Sequence, residues 1–316
     1  MKVMEKKFDI ITVGTALVDS IIKGFDPEPI SASGYRAESC SLHSGGEAVN
    51  EAVAAAKLGM RAGILCFLGD DTAGKLISNT LSGCGVDTGL IVREKDHPTP
   101  VTTMFVREDG SRKSITNTSH RYNFHPECYL ERIGQTRAII LGSLFRAPFD
   151  DPGIVHLLLR FAKEHGILAV ADTKLPNFRK LTLGDLKESL PFVDCITPNE
   201  DEARYYTEKE DPARMAEVFL NYGIKSVIIK LGSKGCYYRD TEKEIVLPAM
   251  KIKAVDATGA GDNFVAGFVS ELLRGKCQEE ALLFANACGA ICTTEAGACT
   301  ALKDREQVLK MIQTAN

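Results

Sequence analysis

The run Asp256-Ala257-Thr258-Gly259-Ala260-Gly261-Asp262 carries the residues best suited to chemistry. Two glycines around an alanine let the backbone turn tightly and leave successive N–H groups pointing one way. Apolar residues then recur at helical spacing (Phe264, Val265, Phe268, Val269, Leu272, Leu273), and Gly275 is placed to stop the helix. The glycine turn therefore lies at the positive end of a helix, where anions bind. Asp262 puts an acid in the middle of that anion hole. A carboxylate is unfavourable beside a phosphate unless it takes a proton from the group about to receive the phosphoryl, so one reading is a catalytic base. The other is a plain N-terminal cap, a position Asp favours.

The remaining polar candidates sit where strands end or helices begin, the face on which open α/β sheets bind ligands. Asp19 follows the apolar strand run Phe8 to Val13. Gly45-Gly46 opens a helix over Ala48 to Leu58, and Asn50 on its first turn offers an amide to a hydroxyl. Asp172-Thr173-Lys174 ends a strand over Ile167 to Ala171, and Asn199 with Glu202 follows a strand over Val193 to Thr197. Lys230 closes a strand over Ser226 to Lys230 and leads into Gly232 and Gly235. Together the set suits phosphoryl transfer to a hydroxyl. Glycine backbone holds phosphate oxygens, a carboxylate and an amide organise Mg²⁺ and water, and one acid receives the proton.

Two motifs are decoys. Gly14 is followed by Asp19 rather than by Gly-x-Gly-x-x-Gly, so a dinucleotide fingerprint is missing and an oxidoreductase reading fails. Gly69 to Lys75 matches Gly-x-x-x-x-Gly-Lys but ends in Leu76, where a P-loop needs Ser or Thr. A strand-to-helix turn capped by Asp71 is expected there instead.

Strands alternating with helices make the chain α/β, with a doubly wound, mostly parallel sheet. Pro100 to Val106 and Arg112 to Asn117, around Glu108-Asp109-Gly110, read as a β-hairpin beside that sheet, paired to an Arg36 to His43 segment. Cys236 to Arg239 and Glu244 to Leu247 read as late antiparallel strands, and a buried helix over Glu279 to Thr293 follows. A net charge of −4 and no long basic run argue against nucleic-acid or membrane-surface roles. A soluble, cytoplasmic protein is expected. Of the ten cysteines, none forms Cys-x-x-Cys; Cys66, Cys195, Cys236, Cys288 and Cys292 sit in apolar patterns and read as core packing.

Along nearly its whole length the chain resembles the ribokinase-like (PfkB-type) carbohydrate kinases. Asp256 to Asp262 is similar to that family's C-terminal signature, Gly45-Gly46-x-x-x-Asn50 to its N-terminal one, and Asn199-x-x-Glu202 to its Asn-x-x-Glu. Leu231-Gly232-Ser233-Lys234-Gly235 resembles its nucleotide-contacting strand end. The resemblance implies one ATP-dependent sugar kinase domain over 1–316, with β-lid segments at about 20–43 and 99–118 and a homodimer through the lid. By resemblance Asp262 is the base, and Gly259, Ala260 and Gly261 are the anion hole. Asp19, Gly45, Gly46 and Asn50 face the sugar. Asn199, Glu202, Lys230, Gly232, Gly235, Thr258 and Asn286 face ATP, with Glu202 serving Mg²⁺ directly or through water. At Asp256 two readings stay open, a ligand to a monovalent cation such as K⁺ and a capping or salt-bridged Asp.

Departures from the family are Leu17 for Asn, Glu47-Ala48-Val49 for Lys-Gly-Ala, and Lys174 where many relatives carry Asn. Lys174 is either a solvated lysine or one that helps the ATP phosphates, or it answers a negative group on the acceptor; Arg112, Lys113, Arg146 and Arg179 are other basic candidates in loops or the lid. Nucleoside and vitamin kinases share the fold, and a catalytically idle sugar- or nucleotide-binding protein is a further reading, against which the intact acids argue.

Overall fold

A computed structural model describes residues 6–25, 34–107, 111–117 and 124–315. Among these, the main sheet has eight strands in the order Glu244–Leu247, Cys236–Asp240, Ser226–Lys230, Cys195–Ile196, Leu168–Thr173, Thr136–Leu144, Phe8–Val13 and Ala62–Leu65. From Ser226–Lys230 onward neighbours run parallel; the first two strands are antiparallel additions at one edge. Phe8–Val13 is buried at every position. That is why it reads as a mostly apolar run, with Asp9 and Thr12 as its polar members, rather than an alternating one.

Alternate residues of these strands enter two separate cores. Ile10, Ala138, Ile140, Val170 and Ile228 pack beneath the helices Glu47–Lys57, Ala260–Leu273 and Gln278–Cys292. Ile11, Ile139, Leu141, Ala169 and Ile229 pack on the opposite side beneath Pro152–Glu164 and Pro212–Asn221. A period of two along the strand thus produces three layers, with every parallel strand ending on one face. The helix Gln278–Cys292 is enclosed as its composition predicts, and Cys66, Cys195, Cys236, Cys288 and Cys292 are all buried. At the P-loop decoy, Asp71 caps the helix Thr72–Gly83 through Gly74 N at 2.8 Å.

A second sheet stands apart, in the order Ser39–Gly45, Leu17–Lys23, Val101–Val106, Arg112–Thr116. Its pairing corrects the sequence reading. The hairpin does not pair with the 36–43 region; Leu17–Lys23 lies between them, antiparallel to Ser39–Gly45 and parallel to Val101–Val106. Asp19 is accordingly not in a turn after the first strand but inside this central strand, opposite His43 and Thr102. Two short strands follow one another after Arg61: Ala62–Leu65 joins the main sheet, and Phe67–Gly69 pairs with Val92–Glu94. The turn expected at Glu108 to Gly110 lies outside the described residues.

Candidate active site

The helix Ala260–Leu273 begins at Gly259, which is left-handed with φ 78° and whose missing Cβ leaves room for Ala298. A side chain there would be strained and would overlap that neighbour. The first helical bond runs from Asn263 N to the Gly259 carbonyl at 2.9 Å, and Ala260 N is used by the Ala257 carbonyl at 3.2 Å. Gly261 and Asp262 therefore carry the orphan amides of the helix start, aimed at the ends of the parallel strands.

Asp262 makes no capping bond; the cap position is Gly259. Its carboxylate instead accepts from Asn50 Nδ2 at 2.7 Å, and the residue is 8% exposed. Burial, helped by the nearby Glu47 and Asp172 and opposed by Lys174 and the Asn50 bond, pushes its pKa up to about 6. Asn50 is aimed by Cys299, whose thiol donates to Oδ1 at 3.4 Å. Asn50 can occupy the first turn of its helix because Gly46 enters that helix with φ 96°, against the Thr15 backbone, where a side chain would collide.

Around this pair the acids and cations alternate. Lys174 Nζ lies 2.8 Å from Glu47 Oε1, and Ser143 Oγ donates to Glu47 Oε2 at 2.8 Å. Glu47 raises the Lys174 pKa, and Lys174 holds Glu47 below its usual range against the opposing pull of desolvation. The cation singled out at position 174 is thus already paired. Asp19, against Gly45, is pushed up to about 6 by burial and by the same Glu47.

A second cluster stands on the next strands. Lys230 Nζ is 2.6 Å from Asp172 Oδ1 and 3.2 Å from where a Cβ on Gly261 would be. It is therefore the cation beside the orphan amides. Thr197 Oγ1 also donates to Asp172 at 2.7 Å. Asn199 and Glu202 form a capping box on the helix Glu200–Thr207. Glu202 Oε2 accepts from Asn199 N at 3.0 Å and from Thr173 Oγ1 at 2.8 Å. Burial raises the Glu202 pKa, while Lys230 counters.

Other candidates lie further out. Gly232 and Gly235 shape the turn after Lys230, and Asn286 donates to the Pro248 carbonyl at 2.6 Å. Asp256 accepts from Thr258 N, Thr258 Oγ1 and Gly297 N at 3.1, 2.7 and 3.1 Å, which ties the turn down as a cap would. Sequence reasoning gave no role to Glu47 or to Glu51. Glu51 is fully buried, both carboxylate oxygens lack a hydrogen-bond partner among the described residues, and burial beside Asp172 and Asp262 raises its pKa well above normal. An acid on an otherwise apolar helix face is the signal that marks both.

The model of the pfkB family carbohydrate kinases matches residues 8–305. The chain belongs to that family. It is an ATP-dependent carbohydrate kinase. The ribokinase of Haemophilus influenzae is 30% identical to this pfkB family member over 280 residues, covering 86% of this chain and 88% of that protein. Fructokinase-1 of Oryza sativa subsp. japonica is 29% identical, covering 97% and 98%. The structure of Arabidopsis thaliana ribokinase complexed with ribose and ATP superposes with a TM-score of 0.83 at 27% identity, covering 97% of this chain and 99% of that one. No helix among the described residues is long and apolar enough to cross a membrane.

Proposed function

We propose that this kinase transfers the γ-phosphoryl group of ATP to a hydroxyl of a monosaccharide or sugar derivative, with Asp262 as general base. The observation that carries this is the Asp262 carboxylate itself. It is buried, does not cap its own helix, and is held by Asn50 beside unclaimed helix amides. A carboxylate with a pKa near 6 is ionised at neutral pH and basic enough to accept a proton as the hydroxyl oxygen attacks.

In this reading Gly259 to Gly261 and Lys230 hold the charge that builds on the transferring group. Asp19, Asn50 and the Gly45-Gly46 backbone hold acceptor hydroxyls, with Lys174 and Glu47 as a neutral pair at the same wall. Gly232, Gly235, Thr258 and Asn286 border the nucleotide. Glu202 fits Mg²⁺ through water, because one carboxylate oxygen is spent on the capping box while the other makes none of those bonds. Bound Mg²⁺ supplies neutralisation of phosphate charge. Asp256 fits a monovalent cation as the acid of the turn that leads into Gly259, where its charge is held in place by Thr258 and Gly297.

The same proposal covers a kinase domain over 1–316, with the four-stranded sheet as a lid from about 20–43 and 99–118 and a homodimer formed through it. A cytoplasmic location is supported by ten free cysteines, which suit a reducing compartment. The decisive test is ADP release, coupled to a reporter, over aldoses, ketoses, sugar acids, sugar phosphates and nucleosides. A monosaccharide or its derivative should give the highest kcat/KM; a nucleoside in first place would overturn the reading.

A further inference from the structure

We propose that Arg146 recognises an anionic group on the acceptor, a carboxylate or a phosphate remote from the hydroxyl that is phosphorylated. The inference rests on the kinase reading of the site and names its acceptor class.

Strand Thr136–Leu144 reaches the site at Ser143, whose hydroxyl holds Glu47. The chain then turns at once. Phe145 is left-handed, with φ 74°, although it is not glycine and is fully buried. Its ring stacks on Tyr206 at 4.0 Å, and the Tyr206 hydroxyl donates to the Lys174 carbonyl at 2.6 Å. Arg146 N donates to the Ser143 carbonyl at 2.9 Å, and the Arg146 carbonyl accepts from Phe149 N at 2.7 Å. One residue on, the Ala147 carbonyl accepts from Thr15 Oγ1 at 3.5 Å, in the loop that packs on Gly46. The turn therefore spans from the loop before the Asp19 strand to the Lys174 backbone. A strained backbone held from several sides is a usual feature of ligand clamps.

At the centre of this turn the Arg146 Nε is buried and has no hydrogen-bond partner, and the guanidinium makes no ion pair with the described residues. A buried donor left unmade is costly, and a guanidinium fork matches a carboxylate or phosphate in a bidentate way. The other cation on this wall, Lys174, is neutralised by Glu47 at 2.8 Å. Lys113 and Arg179 are exposed. Among the described side chains, Arg146 is thus the candidate cation with charge to spare. Asp19 and Asp262 would repel an anion held beside them, so the proposal assigns the ligand's negative group to Arg146, away from the reacting hydroxyl.

Two matched pairs test this on the full chain: sorbitol against gluconate, and fructose against fructose 1-phosphate. Each member keeps a free terminal hydroxyl. Binding is measured by calorimetry without nucleotide, and turnover by ADP release. In at least one pair the anionic member should exceed the neutral one roughly 10- to 100-fold in affinity and in kcat/KM. Arg146→Met should close that gap, and Arg146→Lys, which keeps the stem and a point charge, should close it in part. A gap confined to gluconate identifies a carboxylate; one confined to fructose 1-phosphate identifies a phosphate. Neutral members that match or beat anionic ones in both pairs overturn the proposal. So does failure of both anions to bind, or a gap that survives in a folded Arg146→Met protein. Arg146-dependent anion binding without ADP release from any acceptor would count against the kinase reading and leave this one standing.

Discussion

Asn50 and Asp262, 212 positions apart in the chain, meet at 2.7 Å through the Asn50 amide. This bond sets the direction of the Asp262 carboxylate and stabilises its charged form. Without it, burial and Glu47 would act with less opposition and hold the acid protonated further up the pH scale.

Asp262→Asn should leave ATP binding nearly intact and lower kcat by at least about 10²-fold, the scale for losing a general base. In the unmodified enzyme kcat/KM should fall as pH drops through about 6, because the base must be ionised. Asp19→Asn, which removes the other acid raised to about 6, should keep that limb while raising the sugar KM. A pH–rate profile flat from 5 to 8 would remove Asp262 from the role.

Lys230 lies beside Gly261 and pairs with the buried Asp172, so it joins charge at the phosphate site to charge in the core. Lys230→Met should raise the ATP KM and also destabilise the fold, since stranding one partner of a buried pair costs about 3–5 kcal/mol. Adding Asp172→Asn should restore much of the stability and none of the ATP affinity. Denaturant titration and ATP binding on both variants separate the two roles; recovery of ATP binding in the double variant would refute the assignment.

The glycine turn, the helix behind it and the parallel strands were legible because each has a local signature: helical spacing after Gly261, and short β-branched apolar runs at Ile10-Ile11 in Phe8–Val13 and at Val227 to Ile229 in Ser226–Lys230. Leu17–Lys23 has none. Its polar Asp19-Ser20 interrupts the apolar residues and only Val18 is buried, so a central strand resembles a loop. The pairing of Glu47 with Lys174 was out of reach for another reason. Each charge is an ordinary helix or loop residue on its own, and their meeting follows from the order of strands, which local pattern does not encode. Arg146 depends on the left-handed Phe145, a backbone state that a bulky side chain argues against.

K⁺ against Na⁺ at fixed ionic strength tests Asp256. Its bonds to Thr258 and Gly297 tie the turn that precedes Gly259, so a cation held there would firm up the anion hole. A higher rate in K⁺ is expected, and its loss in Asp256→Ala. Equal rates in both salts leave Asp256 as a cap alone.

The four-stranded sheet exposes Leu42 at 63% and Ile115 at 67%, on its two edge strands. Unpaired edges and exposed apolar side chains are relieved when two such sheets meet. Sedimentation at micromolar concentration should give a homodimer, and Leu42→Lys with Ile115→Lys should shift it toward monomer. A monomeric unmodified chain would contradict the lid interface.

Glu51 offers a test that needs no substrate. Its oxygens are buried and unpartnered, and its pKa in the folded state is raised by burial, with Asp172, Asp262 and Glu47 adding to the effect. A raised carboxyl pKa means the folded protein keeps a proton that the unfolded chain gives up. Stability is therefore greatest below the unfolded value of 4.5 and falls as pH rises from there toward the folded pKa. Glu51→Gln keeps the shape of the neutral acid and has no proton to lose. The two proteins should be about equally stable near pH 4, and the variant should be the more stable at pH 8. The gap should widen steadily as pH rises between those two values. Asp19 and Asp262 titrate in the same direction in both proteins and cancel in the difference. Urea titration at the two pH values reads this directly. A difference that stays constant with pH would mean that Glu51 is ionised in the fold, paired to a charge that rearranges toward it.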